Sequence, residues 1–386
     1  MSSNKKKTLY VSISGHGYGH VGQMAPILNK LAQEYGRQIA FVIQCEAKPT
    51  FLTEIFRFDF RHIAKPADIG MRMSNSLDVQ PQQSHRDYRE LHDRWPKELL
   101  LKSRQIARVR PDLVISNVSY LTLAAACHLG LPSLALCSLN WADIYHHYCQ
   151  ALPGADDIHA LALEHYRCAD HFLIPTPGMP MLDLPNRRTI GPLARLGNRY
   201  PHFRQSMDLD PDTRLVMVSM GGIPYNLSSQ QWPTIDNLVW IDTSNCCTDR
   251  RDVIPLERFH YPFIDVLAEC DLLICKPGYG LFTEATCNGV PVLYVKREIW
   301  PEEPCLVDWL QQHNLCSELS REQFNLGDFA TPVREILAAR EASQSATSPD
   351  ALVEAHLGTH GRQPECPVPH GVGEACGYVL EGLRLA

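Results

Sequence analysis

The chain has no apolar stretch long enough to cross a bilayer. Leu9 to Ile13, which follows the basic run Lys5, Lys6 and Lys7, is far shorter than a membrane span or the core of a signal peptide. It has no excess of positive charge: 36 Lys and Arg stand against 43 Asp and Glu, a formal net charge of -7, which argues against a nucleic-acid partner. Its 14 cysteines include no CxxC pair and no zinc-ligand spacing. Scattered through a chain without a secretory signal, they read as reduced thiols in a cytoplasmic protein, and adjacent Cys246 and Cys247 could bridge each other only under strain. No structural metal is expected, no DxD-like cluster closes a predicted strand, and no tandem repeat in the solenoid range is evident. What remains is a globular protein of 386 residues, 45% hydrophobic and 20% charged, long enough for two domains.

The order of elements indicates their class. Leu9 to Ser14 is a β-branched run that breaks at a glycine cluster and leads into the helical spacing Met24, Ile27, Leu28, Leu31. Further strands are expected at 39–43, 111–116, 133–137 and 172–175, with helical sequence between them, and Ile190, Gly191 and Pro192 mark an exit. The pattern restarts with a strand at 215–219, followed by Gly221 and Gly222, and continues with strands at 238–241, 272–275 and 292–295 and a helix at 280–288. This alternation predicts an α/β fold with mostly parallel sheets, as a first domain at 1–197 and a second at 198–386. Within the second, 341–370 reads as a loop or linker and 372–385 as a terminal helix able to cross back onto the first half.

Two segments carry chemistry. Gly15, His16, Gly17, Tyr18, Gly19 and His20 stand at the end of the first strand, where alternating glycines let the backbone approach a ligand and the next helix aims its amides at the same place. The spacing is not the G-x-G-x-x-G of a dinucleotide turn, although Glu46 stands near the end of the second strand. Either histidine suits a general base, the alternative being a helix cap or a partner for a nearby carbonyl. In the second segment Lys276, Gly278, Tyr279, Gly280, Thr283 and Glu284 form a strand end, a glycine turn and a helix start, an arrangement that holds a diphosphate without metal. Glu284 would accept hydrogen bonds from ribose hydroxyls; Thr283 and Glu284 are alternatively ordinary first-turn helix residues.

Gly278 to Glu284, with Gly289 and Pro291, is similar in spacing to the donor-binding signature of GT-B glycosyltransferases. The run from Gly15 to His20, the segment Asn140 to Tyr145, and Val295, Lys296 and Arg297 with Glu302, Glu303 and Pro304 resemble the glycosyltransferase-like N-terminal region of plant L-arabinokinases and its stand-alone bacterial relatives. The resemblance runs through most of residues 8–340, and no sugar-kinase domain is expected in the short tail that follows. It implies GT-B architecture, two Rossmann-like domains facing a central cleft, with a nucleotide-diphosphate sugar as co-substrate and no other cofactor. Glu284 would then bind ribose and Gly278 to Thr283 the diphosphate, with Gly221 and Gly222 approaching the donor phosphates. Glu302 and Glu303 stand where relatives carry an Asp-Gln or Gln pair on the donor sugar, and this substitution leaves the sugar's identity open.

On the acceptor side, Gly17, Tyr18, Asn140 and Trp141 are expected around the acceptor. Trp141 is a candidate to stack on it or to be core packing, and Asp143 a candidate to orient His16 or His20. The reaction implied is inverting, metal-independent transfer of a hexosyl or pentosyl group to an unidentified acceptor hydroxyl, with peripheral membrane contact if the acceptor is lipid-linked. Two rival readings are a sugar-nucleotide epimerase on the same scaffold and a non-catalytic sugar-nucleotide-binding regulator.

Overall fold

The structure, a computed structural model, describes residues 6–221, 228–244, 249–297, 299–346 and 366–385. It divides into two compact units: Met1–Ala194 with Trp300–Glu302 and Pro369–Ala386, and Arg195–Ile299 with Glu303–Val368.

In the first unit the chain runs β1 (Lys7–Ile13), α1 (Gly19–Tyr35), β2 (Ile39–Gln44), α2 (Pro49–Ile55), β3 (Phe60–Ile63), α3 (Pro81–Asp93), α4 (Trp95–Val109) and β4 (Leu113–Asn117). It continues through α5 (Tyr120–His128), β5 (Ser133–Leu136), α6 (Trp141–Cys149), α7 (Ala155–Tyr166), β6 (His171–Pro175) and β7 (Arg187–Ile190). The seven strands form one sheet in the order β3-β2-β1-β4-β5-β6-β7, parallel throughout. Central β1 is buried on both faces from Leu9 onward, as helices on both sides of a parallel sheet require. Its register against β4 aligns Ile13 with Asn117. Strand order reverses between these two strands, and open α/β sheets bind ligands in the crevice beyond such a reversal.

The second unit repeats this plan with β8 (Arg214–Ser219), β9 (Leu238–Asp242), β10 (Val253–Pro255), α8 (Phe263–Glu269), β11 (Leu272–Cys275), α9 (Tyr279–Cys287) and β12 (Val292–Val295). It ends with α10 (Glu303–His313), β13 (Cys316–Leu319), α11 (Arg321–Leu326) and α12 (Ala330–Ala346). The six-stranded sheet has the order β10-β9-β8-β11-β12-β13, so its reversal lies between β8 and β11. A capping box sets the start of α11: Ser320 accepts from the Gln323 amide and the Gln323 side chain accepts from the Ser320 amide.

The last helix, α13 (Gly371–Leu383), differs from the domain division read in the sequence. Residues 369–386 belong to the first unit, where α13 packs against α1, β4 and β7, and the first boundary falls at 194/195 instead of 197/198. Glycines permit this close docking. A Cβ on Gly371 would lie 1.9 Å from the Gly191 carbonyl oxygen, and one on Gly382 would lie 3.0 Å from a Leu113 methyl. Glu374 accepts from the Gly191 amide at 2.7 Å. Residues 341–346, read as loop, are helical at the end of α12, where Arg340 ties the helix to the carbonyls of Cys270 and Asp271. Residues 347–365 of that predicted linker, Gly222, Cys246 and Cys247 lie outside the described residues.

Candidate functional site

The first unit gathers its polar groups where β1 and β4 end. His20, in the first turn of α1, is 6% exposed, and its Nδ1 lies 2.7 Å from Asn117 Oδ1 at the end of β4. Asn117 Nδ2 donates to Gln23 Oε1 at 3.0 Å and Gln23 Nε2 to Ser138 Oγ at 2.7 Å. Ser138 in turn donates to Glu302 Oε1 at 2.5 Å, and Trp300 Nε1 donates to Glu302 Oε2 at 3.1 Å. An ionised carboxylate only accepts, so Glu302 sets the direction of the whole chain. Ser138 must donate to it, each amide must then point its NH2 toward Ser138, and Asn117 Oδ1 is left to accept the His20 Nδ1 proton. The neutral imidazole therefore carries its lone pair on Nε2. Burial holds His20 down to about 4, with the Asn117 bond opposing the shift.

A second network lies beside it. Asp68 accepts from Ser14 Oγ at 2.8 Å and from the Trp141 indole nitrogen at 3.0 Å. Burial raises Asp68 to about 6 against the lowering effect of these two bonds and of Lys102. Trp141 is fully buried, with His16 set edge-on at 5.0 Å between ring centroids and His20 at 5.6 Å. His16 also stacks on Trp300, at 6.0 Å and 7°. Gly70 makes room for His16: its φ is +54°, and a Cβ there would lie 3.0 Å from His16 Cδ2.

Several expectations change in this unit. Trp141 is core, with its N–H on Asp68, and is not an exposed stacking platform for an acceptor. Asn140 is fully buried and caps α6, its Oδ1 accepting from the Asp143 amide and its Nδ2 donating to the Asp143 carboxylate. Asp143 also faces His159 at 3.3 Å; it does not orient His16 or His20. Glu302, expected on the donor sugar, belongs to the first unit and terminates the His20 chain. Gly17 turns with φ +81° in open space, and Tyr18 is 47% exposed and packed on Phe51.

In the second unit β8 leads into Gly221, whose φ of +81° disfavours any other residue; a Cβ there would lie 3.0 Å from Lys276 Cε. β11 leads through Lys276 and Gly278 into α9, whose first amides have no partner within the helix. No described atom lies within 4 Å of a Cβ placed on Gly280, and the nearest to one on Gly278 is a carbonyl oxygen at 4.0 Å, so packing within the chain does not require glycine at either position. Tyr279 is buried at the start of the helix. Thr283, expected on the diphosphate, is fully buried and its hydroxyl donates back to the Tyr279 carbonyl at 2.9 Å. Glu284 is buried in a two-point pair with Arg195, Nε to Oε1 at 2.6 Å and Nη2 to Oε2 at 3.1 Å. Glu303 begins α10 and accepts the Arg297 amide on both oxygens, at 3.2 and 3.1 Å. Burial pushes Glu303 up to about 7.

The residues missed in the sequence are Gln23, Asp68, Gly70, Asn117, Ser138, Arg195 and Trp300. Gln23 interrupts the buried face of an apolar helix, and Asn117 ends a buried central strand; both are readable signals of a polar network. Asp68 and Gly70 lie in irregular chain, with no local pattern to mark them.

Two parallel-sheet units, each with its sheet reversal at a glycine turn leading into a helix, define the GT-B glycosyltransferase fold, and solved structures agree. The chain is similar to CalG4, the calicheamicin glycosyltransferase, with a TM-score of 0.60 and 15% identity over 98% of this chain and 99% of that one. It is likewise similar to the spinosyn forosaminyltransferase SpnP, with a TM-score of 0.59 and 15% identity over 97% and 99%. No protein-family model matches the chain. The particular resemblance is to the L-arabinokinase of Arabidopsis thaliana, 25% identical over 348 residues that make up 86% of this chain and 32% of that protein. The chain thus spans about a third of the length of this curated relative. No helix among the described residues is long and apolar enough to cross a membrane.

Proposed function

We propose that the protein transfers a hexosyl or pentosyl group from a nucleotide-diphosphate sugar to an acceptor hydroxyl, with His20 as general base. The observation that carries this reading is the oriented chain from Glu302 to His20, which fixes a neutral imidazole with its lone pair on Nε2. In the reaction Nε2 takes the acceptor proton while the acceptor oxygen bonds to the anomeric carbon. The bond from that carbon to the diphosphate breaks, its electron pair leaves on the diphosphate oxygen, and His20 returns its proton to solvent. Direct attack of this kind inverts the anomeric centre.

The second unit supplies the groups for the leaving diphosphate: the α9 amides, the open approach over Gly278 and Gly280, and Lys276 beside Gly221. Amide and lysine donors meet the growing charge without a metal ion. Glu284 keeps a second lone pair on each oxygen for ribose hydroxyls while Arg195 holds it in place. In this reading the protein works in the cytoplasm, with peripheral membrane contact where the acceptor is lipid-linked. The similar GT-B enzymes support the class of reaction through the fold they share with this chain.

The test is incubation of the purified chain with UDP-, dTDP- and GDP-sugars, with and without a panel of hydroxyl acceptors, following nucleoside diphosphate release and the isomers of the donor. Acceptor-dependent release, reduced at least about 100-fold in His20→Ala, supports transfer. Isomerisation of the donor without acceptor makes the protein an epimerase, and stabilisation by a nucleotide sugar without turnover makes it a binding module.

A further inference from the structure

A cavity of about 660 Å³ lies within the first unit, bounded by β3, the 64–70 segment, α3, α4 and the start of α5. Its volume falls in the range of small-molecule sites. Arg61, Lys65, Lys102, Arg104 and Arg108 line it, against only two acidic residues, Asp68 and Glu98. The protein as a whole carries a formal charge of -7, so this concentration of positive charge runs against its overall balance.

Arg72 and Arg94 of the same unit pair with Asp87 and Glu90. Among the described residues, none of the five cavity cations has a carboxylate within 4.0 Å. Lys102 is 8% exposed, and its ammonium rests on Gln44 Oε1 at 3.1 Å and the Ala67 carbonyl at 3.5 Å. Burial holds Lys102 down to about 8, so it is charged at neutral pH. A second observation points to an occupant: Tyr88, 1% exposed, lines the cavity and its hydroxyl has no hydrogen-bond partner among the described residues. A buried hydroxyl left without an acceptor is costly. Leu91, Leu101 and Tyr120 give the wall an apolar part, beside the polar Gln105 and Ser119.

We infer that this cavity binds a small organic phosphate, its dianion held by the arginines and Lys102 and its body packed on the tyrosine and leucine wall. Five cations exceed what one carboxylate needs and suit a dianion. All its lining residues belong to the first unit. Asp68 connects it to the candidate catalytic groups, since one carboxylate forms part of the cavity wall and holds Ser14 and Trp141.

The experiment is calorimetric titration of the full chain with phenyl phosphate, with phenol and inorganic phosphate as controls, repeated in excess UDP and with the double variant Arg104→Ala, Arg108→Ala. Both arginines are exposed, so the variant leaves the core intact. The proposal predicts that phenyl phosphate binds more tightly than either control, is not displaced by UDP, and loses at least about tenfold in affinity in the double variant. Tyr88→Phe weakens it by a smaller factor. Binding no tighter than that of the controls, displacement by UDP, or an affinity unchanged in the double variant overturns it. Failure of UDP itself to bind would count against the donor site of the second unit and leave this test intact.

Discussion

Ser138 Oγ donates to Glu302 Oε1 at 2.5 Å across 164 residues of sequence. Because the carboxylate cannot donate in return, this one bond decides which nitrogen of His20 is basic, four side chains away. Glu302→Gln can donate as well as accept, and it removes the constraint. The expected result is a roughly tenfold loss in kcat with the nucleotide-sugar KM unchanged and thermal stability within a few degrees. The readout specific to orientation is the imidazole nitrogen shifts of labelled protein, which should change from a single Nδ1-protonated tautomer to a mixture.

Burial of His20 sets the pH profile. A base held down to about 4 stays neutral through the physiological range, so kcat/KM should not fall with the protonation of an ordinary histidine. The expected profile has no acid limb near 6.5 from His20. An inflection near 6 belongs to Asp68 and should vanish in Asp68→Asn. A limb that vanishes in His16→Ala would move the base to His16.

Trp141 links the indole to Asp68 and fills the core around both histidines. Trp141→Phe retains most of the volume but removes a donor from a desolvated carboxylate, at a cost of about 1–3 kcal/mol. Trp141→Ala adds a cavity and should cost about 3–5 kcal/mol. Urea denaturation of both variants checks the order.

Arg195 and Glu284 form a pair in which the acid is buried and the base is partly exposed, with 5% and 20% of their side chains accessible. Removing Arg195 alone strands the carboxylate and should cost roughly 2–3 kcal/mol, below the range for fully buried pairs because of that exposure. Arg195→Met with Glu284→Gln should recover most of the loss, as a double-mutant cycle would show.

Glu303 makes stability fall with rising pH. Its folded value of about 7 lies above the ordinary 4.5, so the folded state binds the proton more tightly. The associated stability is present below 4.5 and is lost as pH rises through 7. Glu303→Gln keeps a neutral group there, so its advantage over the parent should open across that window and reach on the order of 2–3 kcal/mol above it. Thermal melts at a series of pH values measure the gap.

The central strands were legible because β1, β4, β8, β11 and β12 are short, nearly continuous apolar runs ending at glycine or polar punctuation. The strands missed were β3, β7, β10 and β13, which stand at or near sheet edges with half their residues or more outside the fully buried class. Such strands carry no sustained period. The glycine turns identified where each sheet reverses, but not which side chains use those places. The three-residue spacing of Asn140 and Asp143 is that of a helix start, and it buries Trp141 between them instead of presenting the segment to a ligand. The Glu302 chain joins α1, β4 and residues 138 and 300–302, and no local window contains it.

The return of α13 to the first unit has a consequence during synthesis. Residues 195–299 and 303–368 leave the ribosome before α13, so the second unit can assemble while the first still lacks a helix of its own core. Until Gly371–Leu383 emerges, the surfaces of α1, β4 and β7 that it covers stay open to water. The half of the protein that is begun first is the half completed last.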